Sequence, residues 1–195
     1  SLHDALPILV SLDLPDDGLA GAAPGNVKVS VSIGDPSTEE GRSAFPGDYM
    51  AAPAANETPD TPLESVAFTE ITIRDADNKE ITQLTKPADI TIRLPEEFQT
   101  GGAKAGTYVP GDPEKGFIAW WSYNETAGTW LREDADADPG NDIQDAEVVD
   151  IGGGLYARGK VTHFTWWNAD VPLDQHACIC VTVTDENGDP RQGIE

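Results

Sequence analysis

The sequence has few basic residues and no long apolar segment. Its 195 residues include 12 lysines and arginines against 35 aspartates and glutamates, which gives a formal net charge of −23. Nucleic acid is a poor partner for such a chain, because binding requires Lys or Arg to neutralise phosphates. Anionic membrane surfaces are unfavourable for the same reason. No apolar run approaches the roughly 18 residues of a transmembrane helix, so membrane insertion is not expected.

Residues typical of catalytic centres are also scarce. The chain has three histidines and two cysteines. It contains neither the Gly-x-Ser-x-Gly turn that exposes a nucleophilic serine nor a His-Glu-x-x-His metal-binding helix. The glycine run at 152–154 lacks the Lys and Ser/Thr that follow a phosphate-binding loop. We therefore predict a protein that is not an enzyme and needs no cofactor, with calcium as the one candidate ion.

Short segments in which apolar and polar residues alternate recur along the chain. Val29, Val31 and Ile33 show this period of two, which is typical of β-strands. Similar segments lie at 67–73, 90–94, 117–123, 129–132, 155–158, 160–167 and 177–184. Turn-forming residues separate them, and no amphipathic helix is evident. The pattern predicts an all-β fold, specifically an antiparallel β-sandwich of the immunoglobulin or transthyretin-like type.

One long stretch has no periodicity. Residues 36–62 contain five prolines, and a loop of that length is uncommon inside a compact domain. Three interpretations stay open from the sequence: a domain boundary, a functional loop, or a cover over a strand.

Three segments together resemble a known β-module: 44–50 (AFPGDYM), 119–130 (AWWSYNETAGTW) and 161–168 (VTHFTWWN). The module occurs in large bacterial secreted or surface proteins and is distantly similar to part of the cartilage intermediate layer protein. A carboxypeptidase-regulatory-like domain, which is transthyretin-like, typically follows it. Residues 181–193 (VTVTDENGDPRQG) resemble the first hairpin of such a domain.

The resemblance implies a non-catalytic structural or adhesive module of a larger extracellular or cell-surface protein of bacterial origin. Its partners would be adjacent β-domains of the same chain and a surface or carbohydrate ligand. The alternative is a calcium- or carbohydrate-binding accessory module. The family supplies no catalytic residues to carry over.

The expected organisation has four parts. Residues 1–8 resemble the translation of a sequencing-adapter oligonucleotide, so we expect them to be non-native and exclude them from site arguments. Residues 9–24 are expected to form a linker or the end of a preceding domain. Residues 25–175 are the predicted β-sandwich module, and residues 176–195 the truncated start of the carboxypeptidase-regulatory-like domain.

An acidic stretch gives the best candidate metal site. The candidate calcium ligands are Asp134, Asp136, Asp138, Gly140, Asp142 and Asp145. Counted from Asp134, acids occupy positions one, three, five, nine and twelve, the spacing of a calcium loop with several converging oxygens. Pro139 stands at position six, where that loop needs Gly, and no helices flank it, so it is not an EF-hand. The alternative is a solvated hairpin insertion in an acidic protein.

Five tryptophans form the second candidate feature. Trp120 and Trp121 are adjacent, as are Trp166 and Trp167, so in a strand each pair points to opposite faces. One ring of each pair can fill the core, while the other must meet a loop, another domain or solvent. Trp120 and Trp166 are the candidate second rings, and an exposed indole would suit carbohydrate stacking. The alternative is that all these rings serve packing.

The last candidate cluster is weaker. Asp174, His176, Cys178 and Cys180 alternate along one face of a predicted strand. In a strand, His176 and Cys180 would lie about 13 Å apart, too far to share zinc, whose ligands lie within about 2.3 Å of the metal. The cysteines are equally compatible with small buried apolar residues or with disulfides to cysteines further along the protein.

Overall fold

The computed structural model describes residues 10–19, 26–52, 61–133 and 145–173. Within these ranges it has eleven strands, one α-helix and one turn of 3₁₀ helix at Glu96–Phe98, so the all-β prediction is confirmed. The helix is α1 (Glu39–Ala44). The strands are β1 (Val10–Asp13), β2 (Lys28–Gly34), β3 (Met50–Ala52), β4 (Thr61–Arg74), β5 (Glu80–Ile81), β6 (Gln83–Arg93), β7 (Phe117–Asn124), β8 (Thr129–Arg132), β9 (Ala146–Ile151), β10 (Gly154–His163) and β11 (Trp166–Pro172).

Five strands close into a small barrel. Their order is β4, β3, β8, β7, β11 and back to β4, so that each strand is hydrogen-bonded to two others. The closure depends on the short strand β3, which pairs antiparallel with β4 and parallel with β8. This closed arrangement with extra strands differs from the two stacked antiparallel sheets expected from the sequence. The difference arises because β3 lies in the aperiodic stretch that the strand pattern did not cover.

The remaining strands extend the barrel. β1, β6, β10 and β9 form an antiparallel sheet in that order, and β9 joins it to the barrel strand β7. β2 and β5 add to the long strand β4. β1 pairs with β6, and Leu12 packs against buried residues of β6 and the other strands. Residues 10–13 therefore belong to the same folded unit as those strands. The sequence had assigned 9–24 to a linker or a preceding domain.

Two apolar clusters lie on opposite sides of the barrel wall. The main core lies between the β1–β6–β10–β9 sheet and strands β4, β7 and β11, and includes Ile90, Ile92, Trp120 and Trp167. The barrel core lies on the other side of the same strands. Its buried members are Phe45, Ala51, Leu63, Phe68, Trp121 and Trp130.

The aperiodic stretch covers the barrel strands over its described part, 36–52. Phe45 packs on Phe68 and Trp130, with ring centroids 5.0 and 4.9 Å apart, and stacks on Tyr49 at 4.1 Å. Of the three interpretations, a cover over a strand is the one that fits this part. Residues 36–52 are called the covering segment below. The preceding helix α1 begins at the Thr38 cap, whose side chain accepts a hydrogen bond from the Gly41 amide. α1 has only six residues, and Gly41 is the one buried residue among them. It therefore has no amphipathic pattern from which the sequence could predict a helix.

Across the described ranges, no helix combines the length and apolarity that crossing a membrane requires.

Candidate functional site

The predicted calcium loop lies outside the described residues except for its last member. Asp145 is half-buried, with one carboxylate oxygen 3.9 Å from Nη2 of Arg132. Elsewhere in the described ranges, no group of three or more His, Cys, Asp or Glu side chains is placed to hold a metal ion. Asp134, Asp136, Asp138, Gly140 and Asp142 therefore stay a prediction.

The structure corrects the placement of Trp120. Its ring is fully buried in the main core, where it stacks on Trp167 at 5.5 Å, and its Nε1–H donates to the backbone oxygen of Lys160. No face of this ring is open to a sugar. Trp166 is half-buried at the margin of the barrel core, 5.8 Å from the Phe68 ring, so its role as a carbohydrate platform stays a prediction.

The His/Cys cluster at 174–180 also lies outside the described residues. His163 is described and packs its ring 5.0 Å from that of Trp167. Burial lowers the pKa of this imidazole, which favours the neutral ring at physiological pH. His163 therefore acts as a packing partner of Trp167.

A cleft of about 460 Å³ lies where the covering segment meets the first half of β4. Three of its lining residues come from different elements: Arg42 lies in α1, Tyr49 lies further along the covering segment, and Lys104 lies in the loop after the 3₁₀ turn. The other lining residues are Pro36, Ser37, Leu63, Glu64, Ser65 and Glu97. Two cations and two carboxylates thus face the same space.

Lys104 is paired with both carboxylates of the cleft, and Arg42 is bound to backbone oxygens. The Lys104 ammonium lies 3.2 Å from carboxylate oxygens of both Glu64 and Glu97. Burial lowers the pKa of Lys104, but the hydrogen bonds to Glu97 and Glu64 outweigh it, so the pKa is raised overall. The Arg42 guanidinium donates to the backbone oxygens of Pro36 and Ser37. Neither cation is a free nucleophile or base.

A chain of hydrogen bonds runs from the cleft wall to a fully buried carboxyl group. Ser65 Oγ donates to Asn168 Oδ1 at 2.8 Å, and Asn168 Nδ2 donates to Asp170 Oδ2 at 2.6 Å. Burial raises the pKa of Asp170 well above its ordinary value, against the opposing hydrogen bonds from Val171 and Asn168. Among the described residues, Asp170 Oδ1 has no hydrogen-bond partner.

This arrangement is suited to binding or to structure more than to acid–base catalysis. Ser65 donates to an amide, which cannot accept its proton as a general base would. The Asp170 carboxyl and the Tyr49 hydroxyl are both out of solvent contact, and burial raises the pKa of the Tyr49 phenol. A general acid or base must reach the atom whose proton it transfers, and the fully buried Asp170 is not among the residues that line the cleft.

A second cavity, of about 280 Å³, lies on the outer surface of β6, β10, β9 and β7. Phe117 is the first residue of β7, and 48 % of its surface is exposed. It lies opposite Glu147 of β9, and Glu147 lies opposite Arg158 of β10. Lys160 and Asp89 form the next cross-strand pair, with 3.4 Å between charged atoms. The lining residues are Asp89, Phe117, Asp145, Glu147, Arg158 and Lys160.

Sequence reasoning missed this second site. Alternation along β7 puts Ala119, Trp121 and Tyr123 on one face, toward the barrel core, and Ile118 and Trp120 on the other, and Phe117 is in phase with the first set. However, Trp121 is enclosed in the barrel core, whereas Phe117 lies before the barrel begins and stays exposed. Its charged neighbours come from three other strands, so spacing along the chain carries no signal for them.

No protein-family model, curated protein or solved structure matches this chain. The resemblance to the β-module of bacterial surface proteins therefore stays a prediction, and function has to be argued from the two sites and the cores.

Proposed function

We propose that this chain is a non-catalytic structural or adhesive module of a larger extracellular or cell-surface protein, of bacterial origin. The observation that carries the proposal is the position of the tryptophans. Trp120, Trp121, Trp130 and Trp167 are each at most 1 % exposed and belong to two cores on opposite sides of the barrel wall. Rings of this size contribute much of the buried apolar area, and Trp120 and Trp121 hold the two faces of β7 in the two cores.

Such double-sided packing suits a rigid spacer. A strand that is buried on both faces and bonded on both edges has little freedom to bend. β11 meets this description, since it pairs with both β4 and β7 and its residues from Trp167 to Asp170 are buried. The non-catalytic part of the proposal is supported by the cleft near Lys104, where the ionisable groups are paired or buried.

Adjacent β-domains of the same chain are the proposed partners. Val171 and Leu173, at and just after the end of β11, each leave 37 % of their surface exposed. Apolar side chains at this point would be covered by a domain that begins at residue 176.

The test is mechanical unfolding of the full chain, held at its two ends in a force spectrometer. We expect one cooperative unfolding event that involves the barrel and the β1–β6–β10–β9 sheet together. Trp120→Phe should lower the unfolding force, while the same instrument should record an unchanged force for Val109→Ala at an exposed loop position. Peeling of single strands at low force would contradict a spacer role.

The second candidate function is an accessory module that binds calcium or carbohydrate. The observation that favours it is the position of Asp145, which ends the predicted calcium loop and also lines the cavity beside Phe117. An aromatic ring and a candidate ion site would then be neighbours on one surface.

A further inference from the structure

We infer that the cavity beside Phe117 binds an uncharged polysaccharide, with the Phe117 ring as its stacking surface. The inference rests on the adhesive or accessory-binding form of the proposed function and gives it a site and a ligand class. It differs from the sequence-based expectation, which placed carbohydrate on Trp120 and Trp166.

Phe117 is exposed on the outer surface of a sheet whose other lining residues are all charged. The Phe117 ring belongs to neither the main core nor the barrel core, so it has no packing role there. The C–H face of a sugar ring complements an aromatic face, because its partly positive hydrogens meet the negative face of the π-system.

Charged side chains of both signs line the cavity. Asp89, Asp145 and Glu147 supply acceptors, while Arg158 and Lys160 supply donors. The lining thus holds three carboxylates and two cations, and Asp145 has a further cation, Arg132, 3.9 Å away outside the lining. A sugar hydroxyl both donates and accepts, and it can bridge such pairs. With a lining charge of only −1 in a chain of net charge −23, the cavity disfavours an anionic ligand and has no excess of acids to hold a strongly cationic one, so an uncharged ligand is favoured.

The strands β9 and β10 under the cavity offer no edge to an added peptide strand. Peptides that extend a sheet need a free strand edge. At this cavity, β10 is bonded to both β6 and β9, and β9 is bonded to both β10 and β7. The backbone groups of β9 and β10 beneath the cavity are therefore used within the sheet, and recognition on this surface has to come from side chains.

The backbone under the cavity is anchored to the main core. Residues next to the lining positions are anchored in the main core: Ile118 follows Phe117, Val148 follows Glu147, and Ala157 precedes Arg158. The backbone under the cavity is thus fixed before a ligand arrives, which reduces the entropy lost on binding.

The experiment measures binding of the full chain to cellulose, chitin, xylan and amylose by affinity electrophoresis and pull-down, followed by calorimetry on any soluble oligosaccharide that competes. We expect binding to at least one of them. Phe117→Ala should weaken it by about tenfold or more, since a stacking contact is lost. Phe117→Tyr, which keeps the ring, should retain it, and so should the control Ile151→Ala at an exposed position outside the cavity.

Other outcomes would overturn the inference. Binding that survives Phe117→Ala but is lost in Trp166→Phe would place the site at the barrel margin. Binding only to acidic polymers such as alginate would contradict the uncharged ligand. No binding to any of the polymers, with one cooperative unfolding event under force, would remove the carbohydrate site and leave the spacer role standing. Circular dichroism of each variant separates loss of binding from loss of fold.

Discussion

Gly159 of β10 lies directly against the indole ring of Trp120. A Cβ atom at Gly159 would be 2.5 Å from Cε2 of that ring, closer than carbon atoms approach in folded proteins. β10 runs unbroken from Gly154 to His163 through this position. The sequence pattern had suggested two strands, 155–158 and 160–167, separated at Gly159. The glycine is instead the point where a strand makes room for a large ring.

Gly159→Ala is therefore expected to destabilise the protein by about 1–3 kcal/mol, the usual cost of overpacking a core. Urea unfolding followed by tryptophan fluorescence measures the change. The cost should be smaller in a Trp120→Phe background, because the smaller ring lacks the atoms that clash. Equal costs in the two backgrounds would show that the Gly159–Trp120 contact is not the cause.

Asp170 gives a prediction about pH. Its folded pKa is raised by burial, so between about pH 4, its unfolded value, and the raised pKa the folded state holds a proton that the unfolded chain has released. The free energy of unfolding must then fall as pH rises above about 4. Asp170→Asn keeps a neutral group and should remove this part of the dependence.

The measurement is urea unfolding of wild type and Asp170→Asn at several pH values from 4 to 8. The gain in stability of the variant over wild type should grow with pH. Asp77→Asn removes the same formal charge at an exposed turn, and its difference from wild type should stay nearly constant. A constant difference for Asp170→Asn as well would mean that its carboxyl is ionised in the fold.

The covering segment should contribute to stability as much as a conventional core element. Phe45→Ala removes a ring that contacts Tyr49, Phe68 and Trp130, and the expected cost is about 3–5 kcal/mol. Phe117→Ala makes the same chemical change at an exposed ring and should cost well under half as much. Similar costs for the two variants would show that residues 36–52 are not part of the folded unit.

The acidic loop gives a prediction about ions. If residues 134–145 bind calcium, thermal melting of the full chain should shift upward with Ca²⁺ and not with Mg²⁺ at constant ionic strength. An ion present at about 100 times its dissociation constant stabilises the fold by about 2.7 kcal/mol. Asp136→Asn should reduce the shift, whereas Asp77→Asn should not. Identical melting in Ca²⁺, Mg²⁺ and chelator would favour a solvated loop.

Local pattern was sufficient for most of the strands. The alternation at 129–132 corresponds to β8 residue for residue, and the segment 117–123 to β7 within one residue. The pattern failed to locate strands where the alternation was too short, and it misplaced a strand boundary where a glycine was present for packing and not for a turn. β3 has three residues inside a proline-rich stretch, and at Gly159 the reason for glycine lies 39 positions earlier, in Trp120.

The opposite facing of adjacent tryptophans also followed from the sequence, because successive side chains in a strand point to opposite faces. Which face each ring occupies did not follow. Trp120 was one of two candidate exposed rings, with packing of all the rings as the alternative. It lies in the main core, while Trp121 lies on the other side of β7 in the barrel core.

The sequence by itself determined that this protein is acidic, made of short strands, and built around paired aromatic rings, since charge and period-two alternation are local properties. Tertiary structure alone decided that the strands close through β3, that Asp170 is buried, and that Phe117 lies among charges from β6, β9 and β10. These features depend on which distant segments pair and in what register, and an alternating pattern is compatible with many such pairings.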